Sequence, residues 1–538
     1  MTLQQALHEA VAHHQAGRLA DAERLYRAIL STMPDQFDAL HLLARIAMQS
    51  GHPQDAETML QRAVGINPAS IEAQLFLASV RNALAHYEMA LAGADHVLAL
   101  QPQSMEAWAV RGMALHNLLR VEEALASYDH ALTLQPNHPG ILCNRGAALK
   151  DLKRHEEALQ CYDQVLAVAP GMAEAWSNRG GALSELGRHA DALSSCDRAL
   201  ALLPEFGEAF HNRGAALSAL GYHEDAIASY SSAIALMPRF AQAYYNRGSA
   251  LGYFKRHGEA CADFKRALVL DPGVAFAAGA LLHSRMHCCI WNDWDQAVTQ
   301  LLADVRAGKR VAEPMTIAAV ARSPADILDC ARTWVATHAG RPREPLWRGE
   351  KYAHDRIRVS YLSAEFHDHA TTQLMAELFE SHDRQRFDVT AISYGPAADD
   401  AMRRRLLQAF EHFVDVRERD DLAIAQWLRE HEIDIAIDLK GYTYEGRIGM
   451  LAHRAAPVQV SYLGYPGTLG APWLDYVLAD SELVPEGDDQ YYAEQVVRLP
   501  WSYQVNDRHR QIDPMTPPRA AAGLPEQGFV FCCFNSNY

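Results

Sequence analysis

Proline stands at Pro34, Pro68, Pro102, Pro136, Pro170, Pro204, Pro238 and Pro272, an unbroken interval of 34 residues. Ala22, Ala56, Ala90, Ala124, Ala158, Ala192, Ala226 and Ala260 keep the same register. Four residues after each comes a large apolar side chain, as in Tyr26, Leu60, Tyr128, Tyr162, Tyr230 and Phe264, with Ala94 and Cys196 as exceptions. Three further on stand Ala63, Ala131, Ala199, Ala233 and Ala267. Gly17, Gly51, Gly187 and Gly221 precede the second half of their units. A small residue lets two helices approach, the bulky one fills the gap between them, and proline ends the second helix because it cannot continue the hydrogen-bond ladder. One such unit cannot bury its own apolar face, so the units must stack into an α-solenoid. Residues 1–272 hold eight of them.

The period and these positions resemble the tetratricopeptide repeat, a helix–turn–helix unit whose inner groove binds peptides. Asn144, Asn178, Asn212 and Asn246 occupy one repeat position in the last four units, each in an Asn-Arg-Gly triplet, where earlier units carry Leu42, Phe76 and Val110. A carboxamide offers both a donor and an acceptor, so such a ladder can hold an extended peptide backbone. The alternative is that these Asn bond neighbouring helices. The Arg of each triplet reads as an inter-repeat or solvated contact.

The whole chain has 538 residues, 49% apolar and 21% charged, enough to bury a core. With 49 Lys and Arg against 66 Asp and Glu the net charge is −17, which argues against nucleic acid as partner. No apolar run reaches the length of a membrane span, and the N-terminus lacks the pattern of a secretory signal. Nine Cys are too sparse for a disulfide scaffold, which points to a reducing cytoplasm.

After residue 272 the register is lost. Residues 273–350 read as a helical transition in which His287-Cys288-Cys289-Ile290-Trp291-Asn292-Asp293-Trp294 packs in the core, ending in a linker at 340–345. From 356 strands alternate with helices: strands at 357–363, 387–394, 413–416, 433–439, 458–463 and 474–478, helices near 371–381, 399–410, 420–431 and 446–454. This alternation predicts a parallel, doubly wound α/β sheet of the Rossmann-like kind, with ligands beyond the carboxyl ends of its strands. Those ends are the segments 363–369, 440–443 and 464–468. No Walker motif, G-x-G-x-x-G or G-x-S-x-G is present.

Asp368-His369-Ala370-Thr371-Thr372, Asp438-Leu439-Lys440-Gly441-Tyr442-Thr443 and Tyr462-Leu463-Gly464-Tyr465-Pro466-Gly467-Thr468 occur in this order behind the repeats. Together they resemble the protein O-linked N-acetylglucosamine transferases of glycosyltransferase family 41 in their bacterial form. The resemblance implies the N-terminal lobe of a GT-B fold over residues 351–503. It implies inverting transfer of N-acetylglucosamine from the donor substrate UDP-GlcNAc to Ser/Thr hydroxyls of proteins, with no metal and no other cofactor. The family's active-site His matches His369, which near neutral pH can accept a proton or orient the acceptor; the alternative is that it only caps the following helix. His367 takes a position where animal members carry Gly. Asp434 and Asp438 face one side of a strand; Asp438, at its end, is the site candidate and Asp434 the structural one.

Residues 504–538 read as an interlobe connection followed by an apolar strand at 528–535. By resemblance this is the first strand of the second lobe, and the next family residue is a Lys that neutralises the donor diphosphate, so the chain reads as stopping before most of the donor site. Two other readings stay open: a tetratricopeptide scaffold with an incomplete catalytic region, and the same fold using another nucleotide sugar such as GDP-fucose. Protein or peptide acceptors are the expected partners, and solenoids can also pair as homodimers through their convex faces. Arg403-Arg404-Arg405 reads as a solvated helix face.

Overall fold

A computed structural model describes residues 2–338, 343–510, 518–521 and 523–527. The chain divides into two compact units, Met1–Pro238 and Arg239–Tyr538.

The first unit is a solenoid of seven antiparallel helix pairs, from Leu3–Gln15 with Leu19–Thr32 to Gly207–Ala219 with His223–Leu236. Repeat chemistry starts five of the seven first helices; those at Ala173 and Gly207 have no side-chain cap. Thr2, Gln36, Ser70, Ser104 and His138, 34 residues apart, cap their first helices by accepting an amide N–H with the side chain. At the second helices Arg120, Arg154 and Arg188 reach the carboxylates of Glu123, Glu157 and Asp191. The register alanines of this unit, Ala22 to Ala226, are fully buried, and so are Tyr26, Leu60, Tyr128 and Tyr162 four residues after them. The ring of Tyr162 lies so near Gly146 that a Cβ there would sit 2.7 Å from it. Gly214 is held the same way by Tyr230. The turn between the paired helices needs a left-handed residue: Gly17, Gly51, Gly187 and Gly221 have φ of 72°, 78°, 74° and 82°, and Ala85, Leu119 and Lys153 take φ near 60° at the equivalent positions.

The second unit begins with the helix pair Ala241–Tyr253 and His257–Leu270, which has the form of an eighth repeat. The division thus falls one repeat before residue 272, because His257–Leu270 packs against the following helix, Ala277–His287. Helices Trp294–Arg306, Pro314–Val320 and Pro324–His338 complete the transition. The expected core segment at 287–294 is corrected: Cys289, Ile290 and Trp291 are exposed, and only Trp294 packs against a core cluster. Of the linker at 340–345, residues 340–342 lie outside the described residues. From Leu346 the backbone bonds to His453 and Arg454.

Seven strands then form one parallel sheet: β1 (Ile357–Ser363), β2 (Phe387–Ser393), β3 (His412–Asp415), β4 (Ile435–Asp438), β5 (Val458–Tyr462), β6 (Tyr476–Ala479) and β7 (Gln495–Arg498), in the order β3-β2-β1-β4-β5-β6-β7. Apolar side chains alternate between two cores, as period-2 strands require. Val359, Tyr361, Val389, Ala391 and Val460 face Met375, Phe379 and Leu406 of helices Ala370–Glu380 and Ala401–Ala409. Leu362, Ile392 and Ala436 face Ile424, Leu428, Met450 and Val335 on the other side. The helix expected near 446–454 is a 3-10 turn, Ile448–His453, and β7 had no counterpart in the sequence reading. The strand expected at 528–535 lies outside the described residues.

Candidate functional site at the carboxyl ends of β1, β4 and β5

The winding of the sheet reverses between β1 and β4, which are hydrogen-bonded neighbours although two strands separate them in sequence. Chains leaving the two strands diverge there and open a crevice, the usual ligand site of a doubly wound sheet. The segments after β1, β4 and β5 meet at this crevice.

After β1 the chain turns through Glu365 and enters helix Ala370–Glu380, with His369 as its N-cap. The Thr371 amide donates to His369 Nδ1 at 3.2 Å, and the His369 amide donates to Thr372 Oγ1 at 3.3 Å. Glu365 Oε2 lies 3.1 Å from the same Nδ1, and Thr371 Oγ1 donates to it at 2.6 Å. His369 keeps 40% of its side-chain surface exposed. Asp368 is exposed; its carboxylate accepts from Gln373 and its amide donates to Asp400. Thr372 is buried and donates to the carbonyls of His367 and His369. The alternative that His369 caps the helix is therefore part of the geometry, and the cap still leaves Nε2 without a hydrogen bond to any described residue.

After β4, Asp438 is buried. Its carboxylate accepts the amides of Lys440 at 3.3 Å and Gly441 at 2.7 Å, which shapes the turn in which Gly441 takes φ of 55°. Burial pushes the Asp438 carboxyl up to about 6, against the pull of those amides and of Lys440. Asp438 thus supports the crevice from below. Asp434, at the opposite end of β4, accepts the Arg358 amide and contacts His354, tying β4 to β1. Lys440 is 3% exposed and ion-paired with Glu365, so it presents no free charge to a ligand. Burial raises the Glu365 carboxyl, but His369, Lys440 and Thr371 together hold it at about 2. Tyr442 donates to the Leu469 carbonyl, and Thr443 donates to the Lys440 carbonyl at 2.7 Å.

After β5, Gly464 passes so close to β4 that a Cβ would meet the Leu439 carbonyl at 2.0 Å. Tyr465 is buried, with its hydroxyl toward the Pro314 carbonyl, and a Cβ on Gly467 would meet its ring at 2.9 Å. Pro466 is exposed. Thr468 is buried and donates to Glu494 Oε2 at 2.7 Å, while Glu494 Oε1 accepts the Leu469 amide at 2.8 Å. Glu494 and Glu365 are the site residues that sequence reasoning missed. A carboxylate four residues before His369, followed by a Lys after a later strand, was the available signal for Glu365; nothing local marked Glu494.

The Arg403-Arg404-Arg405 expectation is corrected. Arg403 is buried, donates to the Phe366 carbonyl and Ser393 Oγ, and lies 4.0 Å over the Phe413 ring. Arg405 is ion-paired with Glu380 and Asp507; only Arg404 faces solvent, beside Asp399. In the repeats, Arg111, Arg145, Arg179 and Arg213 pair with Asp95, Asp129, Asp163 and Asp197 of the preceding unit at 2.7 Å each. Asn212 donates to the Ser177 carbonyl and hydroxyl at 3.1 Å, one of the neighbouring-helix bonds weighed for the ladder. Asn246 accepts from Gln242, and Asn144 and Asn178 are half-buried. Among the described residues no group of three or more His, Cys, Asp or Glu could hold a metal, and no helix is long and apolar enough to cross a membrane.

Tetratricopeptide profiles match residues 13–80, 106–138, 143–205 and 241–273, and a TPR repeat profile matches 217–252. The chain is similar to the probable UDP-N-acetylglucosamine–peptide N-acetylglucosaminyltransferase SEC of Arabidopsis thaliana, 31% identical over 278 residues, 48% of this chain and 28% of that protein. The UDP-N-acetylglucosamine–peptide N-acetylglucosaminyltransferase of Caenorhabditis elegans is 28% identical over 247 residues, 42% of this chain and 21% of its own length. An O-GlcNAc transferase mutant of Thermobaculum terrenum is 25% identical, covering 62% of this chain and 58% of that one, with a TM-score of 0.39. The chain thus spans under a third of the length of the curated relatives it matches. The Glycosyl transferase family 41 profile matches residues 343–517, the segment that holds the whole strand-end crevice, so the chain joins an array of tetratricopeptide repeats to a family 41 glycosyl transferase domain.

Proposed function

We propose that this chain is part of a protein O-GlcNAc transferase: an inverting enzyme that moves N-acetylglucosamine from UDP-GlcNAc to Ser/Thr hydroxyls of proteins or peptides held by the repeat groove. The observation that carries the reading is that Glu365, which faces His369, pairs with Lys440 beside the Gly441 turn while Gly464 lies against Leu439, at the reversal point of the sheet and within the residues the family 41 profile matches. In this reading His369 takes the acceptor proton at Nε2 or orients the hydroxyl from the start of helix Ala370–Glu380. Tyr442, Thr443, Asp368 and the backbone around Pro466 border the donor and acceptor. Lys440, Asp438, Gly441, Gly464, Tyr465, Gly467, Thr468, Thr371 and Thr372 hold that border in shape. Asn144, Asn178, Asn212 and Asn246 grip the acceptor backbone. The donor diphosphate is a substrate charge; its neutralisation is the main electrostatic task of such a transfer.

The test is incubation of the protein that carries this chain, together with the second lobe implied by the family resemblance, with Ser/Thr peptides and either UDP-GlcNAc or GDP-fucose. Mass spectrometry then reads the added sugar. The expected result is addition of N-acetylhexosamine from UDP-GlcNAc only. Addition of deoxyhexose from GDP-fucose would replace the donor assignment, and no transfer from either would favour a binding scaffold.

A further inference from the structure

Glu365 is unused by the proposed mechanism, yet its carboxylate makes three polar contacts in the crevice. Oε1 is ion-paired with the buried Lys440 ammonium, and Oε2 takes the Thr371 hydroxyl at 2.6 Å and faces His369 Nδ1 at 3.1 Å. The same Nδ1 lies 3.2 Å from the Thr371 amide. One ring nitrogen cannot serve both. With a hydrogen, Nδ1 donates to Glu365; with a lone pair, it accepts the Thr371 amide. The choice sets which nitrogen of the neutral ring is free at the exposed edge.

Charge decides between them. Glu365 is 12% exposed, and its contacts with His369, Lys440 and Thr371 keep it ionised despite burial. A hydrogen bond to a carboxylate is about twice as strong as one between neutral partners. The amide at a helix N-terminus can also turn to water at the half-exposed ring. We propose that Glu365 is a positioning residue: it fixes His369 as the Nδ1–H tautomer, so that the lone pair of Nε2 faces the crevice, and Lys440 anchors Glu365 for this task.

The consequence for transfer rests on the function proposed above. The acceptor oxygen bonds to the anomeric carbon as the bond from that carbon to the diphosphate oxygen breaks, and the electron pair leaves with UDP. The hydroxyl proton passes to Nε2. The resulting imidazolium holds its Nδ1–H against the Glu365 carboxylate, which stays ionised, and the ring later returns the Nε2 proton to water. A His369 fixed in the other tautomer has no lone pair at Nε2 and cannot accept that proton.

The tautomer is read on this chain alone by long-range proton–nitrogen NMR of the ¹⁵N-labelled protein above the imidazole titration, with His369→Gln assigning the signal. The expected result is Nδ1–H in the wild type and a several-fold gain of Nε2–H in Glu365→Gln, with Thr371→Val, which keeps the carboxylate, unchanged from wild type. A wild-type ring already in the Nε2–H form would overturn the proposal, as would a tautomer that does not respond to Glu365→Gln. No donor is needed, so failure of the glycosyltransferase reading shows in the transfer assay and leaves this readout intact. Where transfer is measured, Glu365→Gln lowers kcat at least tenfold while the acceptor KM stays within twofold.

Discussion

Lys440 and Glu365 pair across the line where the sheet reverses its winding: the ammonium that follows β4 lies against the carboxylate that follows β1, and both are largely out of solvent. The pair joins two strand ends that sequence separates by 75 residues. It also converts a cation placed for a ligand by sequence reasoning into an internal countercharge.

Removing one partner of a buried pair leaves the other charge uncompensated, which typically costs about 3 kcal/mol. Lys440→Met is expected to lose that much in denaturant unfolding. Adding Glu365→Gln should recover part of the loss, because no charge is then stranded. A single-variant loss below about 1 kcal/mol would contradict a pair of this strength.

The pH dependence has two opposed parts. Glu365 is depressed to about 2, so its contribution is present above its ordinary carboxylate range and is lost as pH falls through that range toward 2. Asp438 is raised to about 6, so its contribution is present below the ordinary carboxylate range and is lost as pH rises through 6. Asp438→Asn should therefore flatten the stability profile between about pH 4 and 6, and Glu365→Gln should flatten its acid limb. Urea unfolding at stepped pH reads both.

Leu119 is 85% exposed and sits at φ of 60° in a turn position filled by Gly in four other units. A left-handed conformation costs a non-glycine residue about 1 kcal/mol, and no buried surface is lost on substitution. Leu119→Gly should stabilise the solenoid by about 0.5 kcal/mol after the entropy of glycine is counted. Thermal unfolding of the repeat array checks it.

Gly146→Ala should have the opposite sign. Its Cβ would stand 2.7 Å from the buried ring of Tyr162, so the helices must part at a cost of about 1–3 kcal/mol. Gly65, inside helix Pro53–Ile66 with open space around it, is the control: Gly65→Ala should gain up to about 1 kcal/mol from helix propensity.

The repeats were legible because each structural duty recurs at a fixed spacing, and β1 because its last five residues, Val359 to Ser363, are buried on both faces. Partners were not legible. Arg403 looks like Arg404 in sequence, yet one lies under Phe413 and the other in solvent. Residues 288–291 look like core because they are apolar, but a short turn after helix Ala277–His287 carries them to the surface. β7 is four residues, too short to show a period. Glu494 reads as surface until Thr468 and Leu469 close on it.

The most direct test is the rate of UDP-GlcNAc-dependent transfer by the second-lobe-containing protein with His369→Ala. The account predicts a loss of kcat/KM of about 100-fold or more, as for removal of a general base, with the fold intact by circular dichroism. A variant that transfers N-acetylglucosamine within twofold of wild type would contradict the assignment of the chemistry to the carboxyl ends of β1, β4 and β5.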